Sequence, residues 1–275
     1  IFMLEKNYKK ILELIKPKDK VLDIGGLAIP FNRANYVVDI MPYETRGIHG
    51  FQGGDVEYFS KDTWITQDIS IKPLPFKNKE IDFVFCSHTL EDIKDPIFVC
   101  SEIIRVGKRG YIEIPSRTVE TIMGMEGERF AGYSHHRWLT DITRDKITFR
   151  FKNHFIHHSW KYHLPNSYLK KLKPEDHVSY LFWENSFRYE EVITTSSLNI
   201  KKEMEEFVKH KNAYPSFYYF LFAIDSMVHL KSGVKQFLLK YPKFVKIAEA
   251  VLGRPIKKAL HEESFWENIP DIHSK

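Results

Sequence analysis

The chain has 275 residues, 43% of them apolar and 15% aromatic, enough for one large domain or two modest ones, which excludes a disordered chain. Its net charge of +5 suits anionic small molecules, nucleotides or membrane surfaces without selecting among them. The two cysteines, Cys86 and Cys100, sit in apolar runs, which excludes a disulfide framework and reads as reduced thiols of a cytoplasmic protein.

Ile1 and Phe2, ahead of Met3, are set aside. Leu4, Tyr8, Ile11 and Ile15 recur at helical spacing and predict an amphipathic helix over 3–16, with Pro17 just past its end. Short runs rich in Val, Ile, Phe and Tyr follow at 20–25, 35–40, 64–69, 81–87 and 110–116, as in strands buried on both faces. Between the last two, Asp95 is a cap with Pro96 at the first helical position. Ile97, Cys100 and Ile104 continue the helix to Val106, and Gly107 closes it. Strand, helix, strand in that order predicts a mostly parallel α/β sheet with helices on its faces. Residues 41–63 read as a long surface loop of the kind that carries function. Residues 117–131 allow another helix. From 147 to 195 the pattern is strand-like again, at ITFRF, HSWKYHL, SYLFW and RYEEVI, and 199–265 reads as helical and Lys-rich. No run is apolar and long enough to span a bilayer, and no cleavable leader is visible.

Ligands of an open parallel sheet lie beyond the carboxyl ends of its strands. Gly25 and Gly26 permit a tight turn there. Asp39 closes the second run, where an acid can accept from ribose hydroxyls, and Asp68 closes the third, facing an adenine amino group. A dinucleotide does not fit this loop. Residues 27–31 are Leu-Ala-Ile-Pro-Phe, and a pyrophosphate needs a helix N-terminus at that point. A nucleoside without a pyrophosphate, such as S-adenosylmethionine, fits better.

The stretches VLDIGG (21–26), VVDI (37–40), QDI (67–69) with LPF (74–76), IDFVFCSHTLEDIKDP (81–96) and EIIRVGKRGYIEIPS (102–116) resemble the class I S-adenosylmethionine-dependent methyltransferases of the type 11 kind. They cover about the first 140 residues in order. The subgroup most resembled has a shortened Pro-Phe loop after the first strand, and its members are linked to bacterial surface-polysaccharide and capsule assembly. The resemblance implies a Rossmann-like domain; with the strand-like and helical patterns that follow, the chain is expected to divide into that domain over 1–195 with substrate-side insertions and a helical, Lys-rich extension over 196–275. The resemblance also implies S-adenosylmethionine as cofactor, with Asp23, Gly25 and Gly26 near its methionine part, Asp39 on the ribose, Asp68 and Ile69 at the adenine, and Ser87 with His88 by the sulfonium. Two departures stand out. Leu27 stands where the family loop has a further glycine, and the family's Leu-Glu-His is Leu90-Glu91-Asp92 here.

Methyl transfer to oxygen needs alignment and a base. His88 is a candidate base or substrate orienter. His135 and His136, in the run Gly132-Tyr133-Ser134-His135-His136-Arg137-Trp138, are further catalytic candidates. Arg137 can fork onto a phosphate or carboxylate, and Tyr133 and Trp138 can stack on a sugar or base; the alternative is an ordered loop in which Trp138 plugs the core and the two histidines are solvated. Glu113, inside an apolar strand, needs a partner, either Arg117 or a substrate hydroxyl. His154, His157, His158 and His163 invite a metal reading. The segment lacks Cys, Asp and Glu, so no metal site is assigned, and a polar strand face near the substrate is expected instead.

The run 216–230 is apolar nearly all round, and 231–258 holds eight Lys or Arg against Glu249. Packing on the domain, peripheral contact with an anionic membrane and homodimer formation all fit that pattern. The expected activity is O-methylation of a small polar or phosphorylated acceptor, such as a sugar or phosphoramidate precursor of surface glycan or capsule. The alternatives are a nucleic-acid methyltransferase, for which no basic-aromatic stripe is found, and a non-catalytic cofactor-binding scaffold. No nucleic-acid partner is expected.

Overall fold

The structure, a computed structural model, describes residues 3–211 except 28, 55, 127, 128 and 195, together with Lys246. The elements in chain order are α1 (Glu5–Leu14), β1 (Val21–Ile24), β2 (Tyr36–Asp39), β3 (Trp64–Thr66), β4 (Phe83–Ser87), α2 (Pro96–Val106), β5 (Arg109–Pro115), α3 (Arg117–Glu120), β6 (Trp138–Thr143), β7 (Lys146–Phe151), β8 (Val178–Glu184), β9 (Arg188–Glu191) and α4 (Ser197–His210). A six-stranded sheet has the order β3-β2-β1-β4-β5-β8, and a three-stranded sheet has the order β6-β7-β9. The first five strands of the large sheet are parallel. Strand β8 closes the β5 edge antiparallel.

Alternation along each strand sorts the core into two layers. Val21, Val37, Phe83, Phe85 and Tyr111 face α1 and pack with Ile11 and Ile15. Leu22, Ile24, Val38, Val84, Cys86 and Ile112 face α2 and pack with Val99, Cys100, Ile103 and Val106. Helices thus cover both faces, and both cysteines are free and buried. The small sheet joins the second layer through Trp138, Ile147, Phe149 and Phe187.

The predicted caps of α2 are present. The Asp95 carboxylate accepts from the Phe98 N–H at 2.8 Å, and the Gly107 N–H closes on the Ile103 carbonyl. Among the described residues no helix joins β1 to β2. Gly25 and Gly26 turn the chain, and Pro30 keeps the residue before it out of helical geometry. Phe31, fully buried, fills the α1 face in place of a crossover helix. Its ring stacks on Phe85 with centroids 4.6 Å apart.

Four local expectations are corrected. The helix expected over 117–131 is the single turn α3, because Gly124 and Gly132 adopt left-handed backbone. Residues 158–164 are not a strand, and His154–His157 is one 3₁₀ turn capped by the Asn153 side chain on the Phe155 N–H. A strand absent from the sequence reading, β6, begins at Trp138 and forms a hairpin with β7 through Arg144, at φ 56°. Expectations for 212–275, apart from Lys246, lie outside the described residues, including the aromatic run 216–230 and the basic run after it. Among the described residues no helix is long and apolar enough to cross a membrane. α4 packs through Met204 and Val208 against Ala131, Leu139, Ile156, Ile122 and Leu164.

Candidate active site

The tip of β1 is built from buried acid and tight backbone. Asp23 is 1% exposed, and its carboxylate accepts from the Phe31 N–H at 2.8 Å. Burial pushes its pKa up to about 8. The Phe31 N–H opposes this only in part, and the nearby Asp39 charge adds to it. Gly25 has φ +79°, and a Cβ there would run into the Thr89 side chain. A Cβ on Gly26 would stand 2.7 Å from Asp23 Oδ2. Asp39 accepts from the Leu27 N–H at 2.9 Å and from the Met41 N–H at 2.7 Å. Burial raises its pKa against those same N–H groups. Leu27 thus uses its backbone N–H to anchor Asp39. Asp68 accepts from the Ser70 N–H at 2.8 Å, and Ile69 is buried in the core beside Leu74.

At the tip of β4 the chain enters a cleft of about 330 Å³, at the small end of ligand sites, lined by Gly25, Leu27, Ile29, His49, Gln52, Ser87, His88, Tyr133, His135 and His136. His49 and Gln52 come from the long loop 41–63. His88 has left-handed backbone, φ 52°, a sparsely populated state for a non-glycine residue and one that recurs at functional sites. Its Nδ1 lies 3.6 Å from Glu91 Oε1 and its Nε2 lies 3.4 Å from Glu113 Oε1. Both carboxylates are fully buried. Burial of the ring works against its charged form, but Glu113 and Glu91 together outweigh it and push the His88 pKa up to about 9. The charged form of His88 is thereby favoured, which suits it to donate to an acceptor oxygen. Neither oxygen of Glu91 has a hydrogen-bond partner among the described residues.

Glu113 has a different partner from the two expected. The Tyr111 hydroxyl donates to it and receives the Asn7 amide at 2.9 Å, while the Ser87 hydroxyl reaches it at 3.5 Å. Arg117 points instead to Asp141 and Glu203, because α3 turns it away from the end of β5.

The opposite wall hangs on Glu120, which is fully buried. It accepts from Lys152 Nζ at 2.7 Å and meets His136 Nδ1 at 2.6 Å. Burial raises its pKa, but His136 and Lys152 overcome that and hold it below the usual range. Lys152 also donates to the Tyr133 carbonyl at 2.7 Å. Gly132, φ +64°, lets the chain pass against Glu120 where a side chain would clash. The Tyr133 ring lies 4.7 Å from that of His136.

Of the residues expected at the site, the cleft brings together Gly25, Ser87, His88, Tyr133, His135 and His136. Asp23, Gly26, Asp39, Asp68 and Ile69 lie around the strand tips and do not line it. Arg137 is exposed and outside the cleft. Trp138 is corrected from a stacking platform to a core residue. It is 7% exposed, its indole N–H donates to the Ile93 carbonyl at 2.8 Å, and its ring packs edge-on to Phe149 and Phe151. The histidines of 154–163 include structural ties. His157 Nδ1 accepts from the Ala131 N–H at 3.0 Å, and its pKa is lowered to about 4 by burial and the charge of Lys152. His163 Nδ1 lies 2.7 Å from the Ile156 carbonyl. The sequence reading missed Lys152 and the placement of Asp92. The one available signal was a lysine at the end of an otherwise aromatic strand.

A carboxylate has about four acceptor positions, so Asp39 retains capacity beyond its two backbone partners. The glycine turn at the cleft and the acid at the end of β2 suit a polar cofactor with a nucleoside end. Residues 37–112 match the model of a family described as methyltransferase domain. No curated protein matches the chain significantly. Similar solved structures include an S-adenosylmethionine-dependent methyltransferase from Mesorhizobium loti, with 13% identity over 71% of this chain and 78% of that one and a TM-score of 0.32. A second, from Methanosarcina mazei, shows 14% identity over 52% and 88%, with a TM-score of 0.33. A third, from Thermotoga maritima, shows 19% identity over 41% and 52%, with a TM-score of 0.29. The chain spans about half the length of the first solved structures it matches, 54%, 52%, 49% and 52%. Similarity of this degree says nothing of substrate. Residues 37–112 are thus similar to a methyltransferase domain, and the sheet that carries them is mainly parallel and Rossmann-like.

Proposed function

We propose that the protein transfers a methyl group from S-adenosylmethionine to an oxygen of a small polar or phosphorylated acceptor, in surface-glycan or capsule biosynthesis. The observation that carries this reading is the cleft itself. It joins the glycine turn of β1 and Ser87–His88 of β4 to the Tyr133–His136 wall. The cofactor supplies an electrophilic methyl on a cationic sulfonium. The backbone of Gly25 and Gly26 would receive its amino-acid end, Asp39 its ribose, and Asp68 with Ile69 its adenine.

On the acceptor side, the His88 imidazolium suits a phosphate or carboxylate oxygen, since charge-assisted donors bind such groups strongly. Tyr133 offers an aromatic wall for a sugar ring. His135 lies exposed beside them. The glycan assignment rests on the resemblance to surface-polysaccharide enzymes through the Pro30-Phe31 loop.

Calorimetric titration of the full chain with S-adenosylmethionine tests the reading. Saturable binding is expected, weakened about tenfold or more in Gly25→Ala, where φ +79° strains any side chain. Release of S-adenosylhomocysteine with phosphorylated or nucleotide-linked sugars is the second expectation. Absence of cofactor binding by folded protein rejects the reading, and binding without turnover on every such acceptor rejects its substrate half.

A further inference from the structure

We infer that Asp92, His135 and His136 form a binding site for one first-row divalent metal ion at the acceptor side of the cleft. The inference rests on the methyltransferase reading for its role, though not for its chemistry. One ligand atom from each of the three residues falls within 4.8 Å of the others.

The two segments that carry them are bound together by backbone. The N–H groups of Arg137 and Trp138 both donate to the Glu91 carbonyl, at 2.8 and 3.2 Å, and the Trp138 indole donates to the Ile93 carbonyl. Asp92 is therefore held opposite His136. Glu120 binds His136 through Nδ1, at 2.6 Å. It is in turn bound by Lys152, so it acts as an acceptor and leaves Nε2 to face Asp92. A carboxylate on the remote nitrogen is the arrangement that orients metal-binding imidazoles.

His136 Nε2 and Asp92 Oδ1 stand 3.7 Å apart, too far for a hydrogen bond. Two ligand atoms on a tetrahedral ion with bonds near 2.1 Å stand about 3.4 Å apart, so an ion fits between them with little movement. Asp92 Oδ1 is itself buried and without a hydrogen-bond partner among the described residues. The His135 ring lies 4.4 Å from that of His136 and lines the cleft with it.

Two imidazoles and one carboxylate select zinc, manganese, iron, cobalt or nickel over magnesium and calcium, which favour all-oxygen sets. Three protein ligands leave a position open towards the cleft, as in catalytic sites. A hydroxyl of the acceptor bound there would be polarised and more acidic. The metal thus narrows the acceptor class to hydroxyl compounds that can reach Ser87 and His88 while coordinated. Glu120 is a positioning residue, since its carboxylate bonds His136 and Lys152.

The test uses the full chain stripped with a chelator and titrated with Zn²⁺ or Co²⁺, read by calorimetry and by the visible absorption of bound Co²⁺. Binding of one equivalent is expected. His135→Ala and Asp92→Asn should each weaken it about tenfold or more, and Glu120→Gln by about 10–100-fold. His154→Ala, at an exposed position, should leave it unchanged. His135 is exposed, so its variant keeps the fold, and circular dichroism verifies this. No binding by the stripped chain, or equal binding by the His135 and Asp92 variants, overturns the site. Methyl transfer that persists undiminished in chelator overturns its role. Cofactor titration of the stripped protein reports on the methyltransferase reading separately.

Discussion

Nε2 of His88 stands 3.4 Å from Oε1 of Glu113, and this relationship sets the charge on the floor of the cleft. His88 is held at that distance by left-handed backbone, and Glu113 is held by Tyr111 and, through it, by Asn7. The carboxylate sits on the same face of β5 as Tyr111, two positions back, as strand alternation requires.

Replacing Glu113 by Gln removes one of the two carboxylates that keep His88 charged. The His88 pKa should fall from about 9 by about 1–3 pH units, read from the imidazole proton shifts in an NMR titration. His88 stabilises the fold while its folded pKa exceeds its ordinary value of 6.5. That contribution is complete below about 6.5 and is lost as pH rises through about 9. Glu113→Gln should therefore flatten the stability curve in that window. An unchanged His88 titration would show that Glu113 does not set the charge.

Asp23 gives a second pH signature in a lower window. Its folded pKa of about 8 exceeds the ordinary 3.8. Between those values the folded chain keeps a proton that the unfolded chain releases, so the contribution of Asp23 to stability falls with rising pH, by about 1.4 kcal/mol per pH unit. Asp23→Asn keeps an acceptor for the Phe31 N–H and carries no charge. Its denaturant-unfolding free energy should fall less than that of the parent between about pH 5 and about pH 7.5. Equal slopes would mean that Asp23 is already ionised when folded.

The loop that replaces a crossover helix depends on one ring. Phe31 is fully buried between Tyr8 and Phe85. Phe31→Ala should cost about 3–5 kcal/mol and loosen the Gly25–Phe31 turn, so cofactor affinity should fall with it. Urea unfolding and cofactor calorimetry measure the two effects. A loss below about 1 kcal/mol would show that the loop is held by its backbone alone.

Local pattern was enough to read β1, β2, β4 and β5 as buried strands, α1 as an amphipathic helix, and α2 with both its ends, since Asp95, Pro96 and Gly107 act within a turn of where they stand, whereas the run 64–69 shortens to Trp64–Thr66 with only Trp64 buried. Alternation of apolar residues and the caps are short-range effects, and the chain records them directly. The same holds for the glycine turn after β1, for the acid that ends β2 and for the one just past β3.

Only the folded arrangement decided the rest, because the deciding partners are remote in sequence. Glu120 meets His136 across 16 positions and Lys152 across 32, and no local pattern tells a buried lysine with such a partner from a solvated one. Trp138 became a core residue when the Ile93 carbonyl, 45 positions away, took its indole N–H. Asp92, reading as a departure from a family motif, became a ligand candidate only when backbone bonds from Arg137 and Trp138 brought His136 opposite it. In each case burial made an unpaired polar group costly, and the choice of partner followed from which segments the two sheets carried into contact.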